Sequence, residues 1–420
     1  MRFFLASMFG MLVHSLPSLH GALGDLDATF GSSGKVITNI GGESARASAV
    51  AVQADGKIVL VGSAENDGLV VRYTKAGALD AGFGTSGKVK VSGAGGFNCV
   101  AVQSDGKIVL AGVDGSGGSV VKLMSDGSLD TTFSGNGIAT VTGIVPVALA
   151  VQSDGKIVCV GSAGLDAELR WQIGVARFQT NGALDTTFAG NGKRIMNLDD
   201  GPIGNETPES YAGGLAIQSD GKIVVGGSFS SRAAVARLTS AGSLDTSFGG
   251  NGKMNLQLGP GSSRTRSLAI QNDDRILLGG TQFNVQGINW DQDVFLMRVT
   301  SSGAADSTLG GSGYVVTALP ASDPLWGGLE ETLAVFALPD GSSLVAVNHM
   351  GDSSGATNPK AALIRYSASG SVISQRSTTV DGYLSGAARQ NDGKVVMVGQ
   401  DYSDENSSSK VLRRFAMLGG

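Results

Sequence analysis

One phrase limits what this chain can fold into. It is Ala51-Val-Gln-Ala-Asp-Gly-Lys-Ile-Val-Leu-Val-Gly62, two apolar runs separated by Asp55-Gly56. Asp-Gly between apolar runs is the strongest short-range signal for a β-hairpin, and the spacing predicts a type I′ turn with φ > 0 at both residues. The phrase returns at residues 101–112, 150–161, 216–227, 269–280 and 388–399, with a worn copy at 335–347. One hairpin is local structure. A hairpin repeated along the whole chain is an architecture.

Each unit carries two further strands. A short one follows a glycine, as in Gly34-Lys-Val-Ile-Thr-Asn-Ile40, and another has the form Val-x-Arg-Φ, as in Val70-Val-Arg-Tyr73. Between units lies a linker, Gly-x-Leu-Asp-x-x-Phe-x-x-x-Gly, clear at residues 24–34, 77–87, 127–137, 182–192 and 242–252. It is damaged at 303–313 and has dissolved after Gly370. The hairpin residues Gln53, Gln103, Gln152, Gln218, Gln271, Leu338 and Gln390 mark the period, with steps from 49 (103 to 152) to 67 (271 to 338). A unit of about 50 residues with four short strands is the signature of a propeller blade. The expected fold is all-β, a seven-bladed β-propeller with four antiparallel strands per blade, spanning residues 23–420 as one domain. The chain ends on a Val-x-Arg-Φ-like strand, so the linker at residues 26–34 is expected to seal the last blade to the first.

Composition agrees. Glycine, at 65 of 420 residues, is about twice its usual share, while charged residues are only 16%. That combination points to turn-rich β structure rather than disorder. Residues 1–22 open with Arg2, run apolar to Leu12 and end in small residues Gly21 and Ala22, the pattern of a signal peptide. Export to the periplasm, the cell surface or the medium is therefore expected. Without that segment the chain has 30 bases (31 less Arg2) and 36 acids, a formal charge of −6. Such a balance disfavours nucleic acid and anionic membranes as partners. Cys99 and Cys159 lie in apolar strands of different units and read as two buried thiols rather than a disulfide.

Most repeated residues have a structural reading. Leu79 and Phe83 anchor the linker, and Asp80 suits an Asx turn. Arg72 and its equivalents either protect the outermost strand edge or pair with linker aspartates. The linker aspartates also raise calcium as a possible cofactor, although each linker offers one carboxylate and calcium needs several. No other cofactor or metal is expected.

Together these motifs resemble the delta-60 repeat family of exported bacterial proteins, over roughly residues 24–418. The resemblance implies a β-propeller in a secreted or surface protein. It implies no established activity and no catalytic residues.

Specific chemistry is then sought where the repeat breaks. Asp-Gly turns and linkers share one face, and the variable loops share the other. The long loops there are residues 164–171, 199–211, 282–293, 320–331 and 349–360. They hold all three tryptophans, and the candidate ligand-binding residues are Trp171, Tyr211, Trp290, Asp291, Asp293, Trp326, Glu330 and His349. Aromatic and acidic groups on one rim suit a protein or glycan partner. His349 is the last histidine once the signal is removed, and no Gly-x-Ser-x-Gly elbow or phosphate loop accompanies it. The leading expectation is a monomeric, non-catalytic binding scaffold. The alternatives are a carbohydrate-active hydrolase or lyase using rim carboxylates, and a structural envelope component.

Overall fold

A computed structural model of the chain describes residues 25–40, 45–115, 117–165, 171–198, 210–286, 289–319, 329–349, 360–379, 382–401 and 412–417. The segment read as a signal peptide lies outside them. The described residues form seven four-stranded antiparallel sheets.

Six of these sheets are contiguous blades. The chain enters through β1 (Lys35–Thr38), which belongs to none of them. The first blade is β2 (Ala45–Val52), β3 (Ile58–Ala64), β4 (Asp67–Tyr73) and β5 (Lys88–Val91). The second is β6 (Phe97–Val102), β7 (Ile108–Asp114), β8 (Gly117–Leu123) and β9 (Ile138–Val141). The third is β10 (Val145–Val151), β11 (Ile157–Leu165), β12 (Trp171–Phe178) and β13 (Lys193–Met196). The fourth is β14 (Ser210–Ile217), β15 (Ile223–Phe229), β16 (Arg232–Leu238) and β17 (Lys253–Leu256). The fifth is β18 (Ser262–Ile270), β19 (Ile276–Gln286), β20 (Asn289–Val299) and β21 (Tyr314–Thr317). The sixth is β22 (Glu330–Ala337), β23 (Ser343–His349), β24 (Lys360–Tyr366) and β25 (Val372–Thr379).

The remaining sheet is a composite of β26 (Gly382–Arg389), β27 (Val395–Asp401) and β28 (Leu412–Met417) with β1 on its outer edge. Lys35 lies opposite Phe415 and Thr38 opposite Leu412. The expectation of seven blades, each drawn from one contiguous unit, is therefore corrected to six such blades and one sheet assembled from both ends. The reason is the phase of the repeat. The short strand after each linker pairs backward onto the Val-x-Arg-Φ strand, as Val89 does opposite Val70, rather than forward onto the next hairpin. The Val-x-Arg-Φ strand is thus third in its sheet, not outermost.

The hairpin turn also differs from its expected form. Gly56 has φ +84°, but Asp55 is not among the residues with positive φ. Gly56 N–H donates to Gln53 O at 2.9 Å and Gln53 N–H to Lys57 O at 2.8 Å. This is a three-residue loop, a type I turn closed by a left-handed glycine, and it too suits the strand twist. Asp55 Oδ1 accepts from the Lys57 amide at 3.0 Å, holding the turn from inside.

First strands of successive sheets are neighbours, β2 with β6, β6 with β10, and so on to β26 beside β2. They surround a central cavity. The middle strands are buried on both faces because each packs against the adjoining blade. Apolar clusters accordingly bridge sheets: Leu60, Val71 and Tyr73 of the first blade pack with Val396 and Val398 of the composite sheet. Cys99 and Cys159 are both buried free thiols in the cluster between the second and third blades.

The repeated polar residues weld this frame. Arg177 Nε contacts Asp185 Oδ2 at 2.9 Å, Lys156 of the hairpin turn reaches the same oxygen at 3.4 Å, and Asp185 Oδ1 accepts from Thr187 N at 3.1 Å. The Arg177 guanidinium lies over Phe188, 4.8 Å from the ring centre, and donates to the Ser240 carbonyl of the next blade. The same set recurs around Asp80 and Asp245, and around Asp306 with Arg275 in place of the lysine and Leu309 in place of the ring. Pairing with linker aspartates, rather than edge protection, is what these arginines do. At the seam of the composite sheet, Lys394 of its hairpin bonds Asp27 of the first linker. In the sixth blade, where the linker has dissolved, Arg365 turns instead to Asp340 of its own hairpin at 2.7 Å.

Candidate functional site

Every inner strand carries a β-bulge at the same position, and the extra residues are Ser48, Asn98, Val147, Gly213, Arg266, Leu333 and Ser385. A bulge leaves one residue out of the ladder and re-aims its side chain. All seven line the central cavity, whose volume is about 850 Å³. The glycine that closes the repeated phrase in six of the seven sheets belongs to this device, with Val347 at that place in the sixth blade. A Cβ on Gly62 would stand 1.8 Å from the carbonyl oxygen of Arg46, because the bulge pushes that backbone inward.

The backbone is thus constant while the residue it presents changes from sheet to sheet. Polar groups concentrate on one arc. Arg266 of the fifth blade pairs with Glu331 of the sixth, whose other oxygen accepts the Tyr383 hydroxyl of the composite sheet. Arg46 and Ser48 of the first blade continue the arc. The opposite wall is Val147, Leu149, Ala212 and Leu215. The cavity has the size and mixed lining of a small-ligand site.

A second cluster lies behind Glu331, between the fifth and sixth blades. Strands β19 and β20, at 11 residues each, are longer than the seven-residue middle strands of the first blade. On β20, Asp291 and Asp293 are two apart and so project to the same side. They meet Glu330 at the start of β22; one carboxylate oxygen from each lies within 4.8 Å of the others. A parallel bridge between Gln292 and Leu329 holds the two segments together. Asn284 Nδ2 donates to Asp293 Oδ2 at 2.7 Å, and His349 Nδ1 lies 2.9 Å from Glu330 Oε1. Asp293 Oδ1 and Glu330 Oε2 have no protein partner. Burial, with Asp291 adding to it, pushes the Asp293 carboxyl up to about 6. Burial raises Glu330 as well, His349 opposes that rise, and the two aspartates add to it.

Of the residues expected to bind, the fold brings together Asp291, Asp293, Glu330 and His349. Trp171 stands exposed at the start of β12 on the third blade. Tyr211 lies on β14 of the fourth blade, with the Arg264 guanidinium 5.5 Å from its ring. Trp290 pairs with Val285 along the β19–β20 hairpin, and its side chain is not described. Trp326 lies outside the described residues. Sequence reasoning missed Arg46, Arg266 and Tyr383, and reached Glu331 only as one of the carboxylates of the variable rim. A signal existed for Arg266, since a glycine inside the partner strand, here Gly280, marks a bulge.

Five stretches of the chain, residues 53–83, 103–133, 152–188, 218–248 and 271–309, match a family described as a domain of unknown function (DUF5122) beta-propeller. No curated protein matches the chain. Among solved structures it is similar to a catalytically inactive virginiamycin B lyase from Staphylococcus aureus with quinupristin. That likeness has 12% identity and a TM-score of 0.50, over 91% of this chain and 98% of that one. An α-L-arabinofuranosidase from Fusarium graminearum aligns with 9% identity and a TM-score of 0.45, over 94% of this chain and 98% of the other. At such identities the first likeness speaks to the fold alone. Each of the five matches runs from a hairpin turn to its linker anchor, through the two middle strands of a blade, and the chain is a β-propeller repeat protein.

Proposed function

We propose that this is an exported, non-catalytic propeller with repeats of the delta-60 type, which binds a hydroxyl-rich ligand such as a glycan in its channel. Entry is from the variable-loop face, because Arg46, Glu331 and Tyr383 lie near the inner-strand ends on that side. The observation that carries the reading is the ring of bulged residues. The bulged residue of each sheet and its neighbours two places along the strand line the cavity, and their chemistry varies where the rest of the repeat does not. Arg266, Glu331, Tyr383 and Arg46 supply the hydrogen-bonding arc, and Val147 and Leu149 a face for the apolar side of a sugar ring.

Binding is favoured over hydrolysis by one feature of this arc. Among the described lining residues Glu331 is the one carboxylate, and both its oxygens are engaged, by Arg266 and Tyr383. Glycoside hydrolysis ordinarily needs two carboxyl groups facing one bond. The test is a glycan array with the mature protein, followed by calorimetric titration of the captured sugar. Glu331→Gln is expected to weaken that binding about tenfold, the scale of one charge-assisted hydrogen bond, while leaving the sugar intact. Release of a shortened sugar, or unchanged affinity in the variant, contradicts the proposal.

A further inference from the structure

The cluster behind the channel wall has a chemistry of its own. Three carboxylates share a small volume, and two are nearly closed off: Glu330 is 1% and Asp293 8% exposed. Burying carboxylates together is costly unless something pairs with them. The donors present answer one oxygen each, Asn284 on Asp293 and His349 on Glu330. The second oxygens, Asp293 Oδ1 and Glu330 Oε2, are buried with no partner. A half-satisfied set of this kind fits a missing cation rather than a network complete in itself.

We infer that Asp291, Asp293 and Glu330 form a calcium site that ties the rim of the fifth blade to the sixth. Oxygen-only ligation selects a hard cation over zinc or copper. Ligand number then favours calcium, which is held by several protein carboxylates, over magnesium, which is usually bound through one or two and keeps its waters. The three ligand oxygens lie within 4.8 Å of one another. His349 stands outside the coordination sphere and orients Glu330, the part a second-shell group plays in metal sites. The ion would lock the long β19–β20 hairpin to the first residue of β22. Glu331, the next residue, faces the channel. This site differs from the linker aspartates, which pair with arginine and lysine, and it does not depend on the channel's ligand.

The experiment uses the full mature chain, stripped with chelator and titrated with calcium chloride by calorimetry, with melting midpoints followed in parallel. Wild type should bind one calcium ion saturably and melt higher as calcium is added. Asp293→Asn and Glu330→Gln should each lose the saturable heat and the shift, and His349→Gln should weaken binding about tenfold. In chelator, Asp293→Asn should melt no lower than wild type, because it removes a buried charge without changing shape, so loss of binding cannot be blamed on misfolding. Absence of saturable calcium binding by wild type overturns the inference. So does an unchanged affinity in the two carboxylate variants, or binding of zinc in place of calcium.

Discussion

Asp274 shows how closely the repeated phrase is fitted to its turn. In the other hairpins of this type a glycine takes the left-handed position, but the fifth blade reads Asp273-Asp274, and Asp274 is held at φ +61°. Its amide still donates to Gln271 O at 3.0 Å, so the turn is kept at the expense of strain. Left-handed backbone costs a non-glycine residue roughly 1 kcal/mol. Asp274→Gly is therefore expected to stabilise the protein by about 0.5–1 kcal/mol, seen as a higher melting midpoint at neutral pH; a lower midpoint contradicts the turn assignment. The same turn marks a limit of legibility. Asp-Gly between apolar runs fits a two-residue or a three-residue loop, and what decides is whether Gln53 and Lys57 pair, as they do here. Gly62 was readable but not read: its missing Cβ announces the bulge that aims Ser48 at the channel.

The linker explains why its aspartate recurs. Burial alone would raise the Asp185 carboxyl, but the Thr187 hydroxyl and amide, Arg177 and Lys156 outweigh it and hold the group at about 2. Asp130 is likewise held at about 2, by Thr132 and Lys107 against the effect of burial. An unfolded aspartate titrates near 3.9. Since the folded value is the lower one, these groups contribute full stability above about pH 4, and that contribution is lost as pH falls toward 2. Asp185→Asn strands Arg177, which is 5% exposed, beside a neutral partner. The expected cost at pH 7 is about 3–5 kcal/mol, with a shallower loss of stability below pH 4 than in wild type. Denaturant melts across that range measure both, and equal slopes for the two proteins contradict the pairing. At this scale strand number and type were legible from periodicity. The phase was not, because nothing local tells the strand after a linker whether to pair backward or forward. The carboxylates of the second cluster were legible as residues in broken repeats, but their meeting needed the fifth and sixth blades set side by side.

For the whole molecule, the composite sheet makes the two ends interdependent. β1 completes β28, and Asp27 receives Lys394, so removing residues 25–38 takes away four strand pairings and the ion pair at the seam. With backbone hydrogen bonds worth about 0.5–1.5 kcal/mol each, the truncated protein should lose several kcal/mol. It should also self-associate through the bared edge of β28; an unchanged melting midpoint in a monomeric truncation contradicts this closure. Within that ring the repeated residues hold the frame, and on the proposed reading the residues at and beside the bulges are the ones that meet the ligand. The measurement that separates these roles is a paired one, glycan capture and melting midpoint on two variants. Arg266→Ala, at a bulge, should lose capture and keep its midpoint near that of wild type. Gly56→Val, in the repeated turn, should lower the midpoint and still capture glycan at temperatures where it is folded. The reverse pattern, binding lost with Gly56→Val and untouched by Arg266→Ala, would place the working surface on the repeated face and contradict the account.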